Sequence, residues 1–298
     1  EGAFSSDAGR AYVFSRSGTI WSEDEILRAA DLQSGMLFGR SVDIEGSRIV
    51  VGAPLTSVPP TTGSVFVFEE SGGSWSQTAE LAGSGLESGD YFGQAVTLSG
   101  NVLFAGAPLA DEPYGDTVGN AYLFEFTGGG WSEETRLVHG YSGFESRFGF
   151  SVAIDGNRAV VGARDDSGLH DLGGSCYVFV KTGSAWSLEQ TLLPSDGFNG
   201  QRFGKAVDIA GDLIVVGCNS GDFAYAFRNG PGGWTEEAKL SPSESNSWEF
   251  GASVSISGSR VVIGAPLDSL TGVAYVFLKD GNGWQQEARL LASDGESY

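Results

Sequence analysis

The sequence predicts an all-β protein: a β-propeller of four-stranded antiparallel blades, six in number, with seven in the full-length protein as the alternative. Three observations predict it. Phe-Gly recurs at Phe38, Phe92, Phe148, Phe203 and Phe250, a Trp recurs at Trp21, Trp75, Trp131, Trp186, Trp234 and Trp284, and the two series interleave without exception. Self-similarity at a period of roughly 50 residues marks a repeat architecture in which each unit is one small sheet. The 298 residues include 46 Gly and 12% aromatics, the composition of short strands joined by tight turns. The chain therefore reads as a single domain, 1–298, with a partial unit at about 1–37 and full units at 38–91, 92–147, 148–202, 203–249 and 250–298.

Each unit opens with Phe-Gly-x-small-Val-x-Ile-x-Gly, as in Phe38, Gly39, Ser41, Val42, Ile44 and Gly46, an alternation of period two that predicts a first strand. A short turn at Gly46-Ser47, or at Asp155-Gly156-Asn157, leads to a β-branched second strand such as Ile49-Val50-Val51, expected to be buried on both faces. The third strand carries an aromatic-x-Phe triplet, opening at Tyr12, Phe66, Tyr122, Tyr177, Tyr225 and Tyr275. A Gly-rich turn such as Thr127 to Gly130 then reaches the Trp and the fourth strand. Phe to the Gly of a Gly-Ala-Pro-like triplet (Gly52, Gly106, Gly162, Gly217, Gly264) is 14 residues in all five copies, and aromatic to Trp is 9 in all six. The connection between second and third strands alone varies freely. Phe, Tyr and Trp at fixed offsets read as packing between blades, and the two Gly positions as positive φ or close backbone approach.

Phe38-Gly39 with Gly52-Ala53-Pro54, repeated as Phe92-Gly93 with Gly106-Ala107-Pro108 and Phe250-Gly251 with Gly264-Ala265-Pro266, resembles the FG-GAP repeat of integrin α-subunit propellers. The third and fourth copies depart from it as Gly162-Ala163-Arg164 and Gly217-Cys218-Asn219. The resemblance implies a propeller and an extracellular role, secreted or at the cell surface, in adhesion, carbohydrate or protein binding, or scaffolding. Many members carry an Asp-x-Asp-x-Asp-Gly calcium loop between the first two strands. Here Ile44-Glu45-Gly46-Ser47-Arg48 and its equivalents are too short and too poor in carboxylates to surround Ca²⁺ with six to eight oxygens.

With 38 acidic against 17 basic residues, a formal charge of −21, the chain lacks the basic footprint of nucleic-acid or anionic-membrane binders. No apolar run approaches the length of a membrane span. Cys176 and Cys218 cannot form a disulfide framework and read as two small buried thiols, although a bond between them is conceivable. His139 and His170 each occur in one repeat, without a nucleophile elbow or a paired His. No catalytic residues are assigned, and the chain is not expected to be an enzyme.

Variable loops on a rigid scaffold are where binding belongs. The densest carboxylates there are Asp111, Glu112 and Asp116, and Asp165, Asp166 and Asp171. They are candidates for Ca²⁺, against the plainer reading of solvated acidic loops, since neither group has the alternation and central Gly of a calcium loop. Trp248 falls outside the Trp series, two residues before Phe250, and Tyr91, Arg147, Arg202 and Glu249 occupy the adjacent column. An exposed aromatic beside such polar groups suits a sugar or peptide, against the plainer reading of cover for the core.

Aligning Gly2-Ala3-Phe4 with the triplet, and projecting the repeat beyond Trp284, leaves one blade short of its first hairpin. Open strand edges attract other strands, so a segment from flanking sequence or another copy is expected to complete that blade. Three functions follow in order of preference: a non-catalytic adhesion or structural module with protein partners or copies of itself, in a polymer or larger multidomain protein; a lectin-like glycan binder; and a glycan-active hydrolase or lyase.

Overall fold

The structure, a computed structural model, describes residues 8–31, 33–55, 61–111, 118–138, 145–167, 170–218, 220–243, 248–268 and 272–293. The chain divides into two compact units, 1–140 and 141–298. In the first, β1 (Ala11–Ser17) and β2 (Ile20–Leu27) form a two-stranded sheet. Two four-stranded sheets follow: β3 (Ser41–Glu45), β4 (Arg48–Ala53), β5 (Ser64–Ser71) and β6 (Ser74–Leu81), then β7 (Ala95–Ser99), β8 (Val102–Ala107), β9 (Asn120–Phe126) and β10 (Trp131–Leu137). The second unit holds three: β11 (Phe148–Asp155), β12 (Arg158–Ala163), β13 (Ser175–Thr182) and β14 (Ala185–Leu192); β15 (Phe203–Ala210), β16 (Leu213–Cys218), β17 (Phe223–Gly230) and β18 (Gly233–Leu240); β19 (Ser253–Ser257), β20 (Arg260–Ala265), β21 (Val273–Asp280) and β22 (Gly283–Leu290). Each is an antiparallel meander of consecutive strands. Among the described residues these are five complete blades and one half blade of a β-propeller, as the repeat predicts.

The fixed offset of 14 has a backbone cause. First and second strands meet across a two-residue turn, Glu45 opposite Arg48, with Gly46 at φ 59°, as a II′-type hairpin requires. At the open end the Gly39 N–H donates to the Gly52 carbonyl at 3.1 Å, and Gly93 to Gly106 at 3.0 Å. An inserted residue would break this closure. The triplet Gly also receives the next blade. A Cβ on Gly52 would lie 2.0 Å from the Gly93 carbonyl oxygen, and one on Gly217 would lie 2.1 Å from that of Gly251. The small residue of the first strand takes part, since Ser41 Oγ donates to the Gly93 carbonyl and Ser151 Oγ to that of Gly204, each at 2.9 Å.

Every Phe of the Phe-Gly pairs is buried and meets both aromatics of its own third strand: Phe203 lies 5.7 Å from Tyr225 and 5.9 Å from Phe227, in edge-on geometry. The same rings then face the preceding sheet. Phe203, Val207, Ile209 and Tyr225 pack against Val160, Cys176, Val178 and Leu192, so the core lies in slabs between sheets. The second strand is buried on both faces in β4, β8, β12 and β16, as expected. In β20 it is not: Val261 and Ile263 are buried, whereas Val262 is exposed. Only the face of β20 turned toward the fourth-repeat sheet is covered within this unit.

The Trp series does more than pack. Each third-to-fourth strand ladder slips by one residue at the same place, a bulge that re-aims the extra side chain. In the third complete blade that side chain is Glu189, which accepts Arg158 at 2.9 and 3.0 Å and the Trp234 indole N–H of the next blade at 3.2 Å. The Arg158 hydrogen bond holds the Glu189 carboxyl below its ordinary range. Glu237 likewise accepts the Trp284 indole. In the first complete blade the bulge residue is Thr78, and the Trp131 indole N–H has no acceptor among the described residues. Arg48, the counterpart of Arg158, is already 5.0 Å over the Trp131 ring. Thr78→Glu is therefore expected to raise stability by about 1 kcal/mol, read as an increased urea midpoint. An unchanged or lower midpoint would contradict the acceptor argument.

Candidate functional site

The residue preceding Phe-Gly lies in the left-handed region in every repeat: Leu37 (φ 55°), Tyr91 (61°), Arg147 (54°), Arg202 (59°) and Glu249 (62°). Non-glycine residues rarely adopt it, and a set held there marks an imposed backbone. This residue also opens a turn in which its carbonyl accepts the N–H three residues on, Gln94 to Tyr91 at 3.1 Å and Phe150 to Arg147 at 3.1 Å. The Gly at its third position has φ near 90° (Gly93 87°, Gly204 89°). The repeat thus presents one side chain per blade from a fixed backbone, and its chemistry is free to differ. This is the column containing Tyr91, Arg147, Arg202 and Glu249.

In the second unit the column meets the triplet. Arg164 stands where three other copies have Pro, directly after β12, and Asp165 follows it. Asp165 is buried, and its N–H donates to the Ser146 carbonyl at 3.2 Å, which binds this loop to the residue before Arg147. Its carboxylate is the hub of three arginines: Arg147 Nε at 2.9 Å, Arg164 Nε at 3.3 Å and Arg202 Nε at 3.5 Å. Burial pushes the Arg164 guanidinium below its ordinary value; Asp165 opposes this, and Arg147 and Arg202 add to it. Arg164 lies 4.0 Å from the centre of the Phe150 ring, and Lys205 Nζ lies 4.8 Å from it. A chain of charge −21 thus concentrates cations at one point.

Two of the proposed calcium ligands serve other partners. Asp165 is held by arginines, and Asp166, also buried, accepts the Tyr177 hydroxyl at 2.5 Å. Asp171 is exposed. Asp111 is exposed near Asp90, whose carboxyl burial pushes upward, against the Glu87 N–H it accepts and with the Asp111 charge. Glu112 and Asp116 lie outside the described residues. Among the described residues no group of three or more His, Cys, Asp or Glu could hold a metal ion.

Trp248 is exposed. Beside it, the Glu249 and Phe250 N–H groups donate to Asp222, whose carboxyl burial raises against those bonds, with Asp268 and Glu249 adding to the rise. Tyr91 belongs to the first unit and is half-buried. His170 packs against Gly197 and Gly173, and His139 lies outside the described residues. Cys176 and Cys218 are free and buried in one slab, and burial raises both thiols, Cys218 to about 12. Arg164 and Lys205 are the site residues that the sequence reading did not select. The signal was present: both sit at framework positions, the Pro of the triplet and the residue after Phe-Gly, where a cation departs from the repeat.

The signature described as the FG-GAP repeat matches residues 21–68, 75–124, 131–179, 186–230 and 234–277. Each window begins at or beside the fourth-strand Trp and ends in the third strand of the next sheet, so the matched unit straddles the structural blades. No curated protein matches the chain. Among solved structures, a candidate 6-phosphogluconolactonase from Bacteroides fragilis is similar with a TM-score of 0.65 over 94% of this chain and 77% of that one, at 11% identity. Likeness at that identity concerns the fold.

Proposed function

Because the chain belongs to the FG-GAP repeat family, we propose that this propeller scaffold is a non-catalytic extracellular adhesion or structural module, assembling with protein partners or copies of itself through its variable loops and by strand addition. The observation that carries this reading is the half blade. Among the described residues, the sheet of β1 and β2 has two strands where the other five sheets have four. Tyr12 is 49% exposed, whereas its counterparts Phe66 and Tyr122 are fully buried. Val42 across from it is 57% exposed, against 8% for Val96. Between them lies a cleft of about 530 Å³ lined by Tyr12, Phe14, Leu27, Val42, Ile44 and Ile49. Its apolar walls and the free edge of β1 suit an inner hairpin of the Phe-Gly type.

Light scattering on the 298-residue chain, with and without calcium chelation, tests this. The expected result is a mass above 31.2 kDa that chelation leaves unchanged, and that falls to a monomer when Tyr12 and Phe14 are both changed to Glu. A wild-type monomer that also ignores a synthetic peptide of residues 92–107, the inner hairpin of a complete blade, would refute strand addition. The exposure of Trp248 favours one second reading, a lectin-like glycan site. A glycan array on which a hit disappears with Trp248→Ala would establish it. Turnover abolished by one acidic substitution would replace both readings with an enzyme.

A further inference from the structure

We propose that the arginine cluster of the second unit is an anion site for a compact carboxylate group, carried by a small dicarboxylate or by the acidic side chains of a short peptide segment. This goes beyond the assembly reading, which concerns the half blade of the other unit. Three guanidiniums surround a single carboxylate. Each guanidinium offers five N–H donors and the carboxylate about four acceptor positions, so donors remain in surplus.

The arrangement is open where a ligand would enter. Asp165 and Arg164 form the floor, with side chains 8% and 13% exposed, while Arg147 and Arg202 flank it at 34% and 41%. Folding does not call for arginine at the flanking positions, since Leu37, Tyr91 and Glu249 occupy the same left-handed turn in other repeats. Like charges gathered around one partner cost stability, and such costs are typical of binding sites. The class of anion follows from charge and shape. With −21 on the whole chain, a long polyanion is repelled by everything beyond the cluster, whereas a compact anion meets only the arginines. Planar guanidinium forks match planar carboxylates in pairs of parallel hydrogen bonds.

Calorimetric titration at low salt, with succinate, a hexaglutamate peptide and a sulfated hexasaccharide as probes, decides the matter. Wild-type protein is expected to bind at least one carboxylate probe, and the Arg147→Gln/Arg202→Gln double variant to bind it at least tenfold more weakly. Hexaglutamate binding tenfold tighter than succinate supports a peptide source, and comparable affinities support a small molecule. Should the double variant fail to fold, Arg202→Gln alone, which removes the more exposed arginine, carries the same comparison with an expected loss of about threefold or more. The proposal is overturned if neither carboxylate binds, if the folded variant binds as well as wild type, or if the sulfated sugar binds more tightly than both.

Discussion

Gly52→Ala is expected to destabilise the protein by about 3 kcal/mol or more, although it adds one methyl group to a strand residue with ordinary φ. The new Cβ would lie 2.0 Å from the Gly93 carbonyl oxygen and 2.3 Å from Ser41 Oγ. The first is backbone of the next sheet and cannot rotate away. The second donates to that same carbonyl, so its displacement costs a hydrogen bond as well. Relief requires the two sheets to separate, which opens the slab formed by Val50, Val65, Val67 and Phe92. Gly46→Ala is the control: nothing lies within 4 Å of its Cβ, and only a φ of 59° opposes it, at about 1 kcal/mol. Urea unfolding of the two variants separates packing from backbone preference. Equal losses would mean that the triplet Gly is kept for conformation and not for the close approach.

Phe203→Ala is expected to cost about 3–5 kcal/mol. The ring is fully buried, edge-on to Tyr225 and Phe227, and packed into the slab that also holds Cys176, Cys218 and Trp234. Its backbone N–H donates to the Gly173 carbonyl at 2.9 Å, so the residue joins two adjacent sheets by main chain and side chain together. Deleting the ring leaves a cavity that the fixed backbone cannot close. Phe203→Leu, which keeps most of the volume and loses the edge-on contacts, is expected to cost about 1 kcal/mol. Unfolding midpoints from circular dichroism measure both. A Phe203→Ala loss below about 1.5 kcal/mol would show that the slab can collapse around the gap, contrary to the reading of the fixed 14-residue spacing as a rigid closure.

The repeat was legible because each spacing reflects a local constraint. Phe to triplet Gly is 14 residues because one hairpin, closed at Gly46 and tied at Gly39, permits no other length. Aromatic to Trp is 9 because the outer hairpin closes in one register in every repeat, with the Trp opposite the residue four beyond the aromatic, as Trp75 opposite Glu70 and Trp186 opposite Lys181. In the two-stranded sheet Tyr12 takes the repeat's aromatic position and is exposed. The candidate site was half legible. Arg147 and Arg202 belong to a column that recurs with the repeat, so they could be selected as a pair.

What the column could not show is where its side chains converge. Asp165 stood out in the sequence as one of several carboxylates in an acidic loop, grouped with Asp166 and Asp171 by proximity along the chain. Folding separates their roles: Asp165 meets Arg147, Arg164 and Arg202, Asp166 meets Tyr177, and Asp171 faces solvent. By itself the sequence determined the blade, its strand order and its fixed closures, since these arise within about 50 residues of chain and repeat. Tertiary structure alone decided which charges meet, because loops of adjacent blades lie some 55 residues apart in sequence, Arg147 to Arg202, yet share one carboxylate in space.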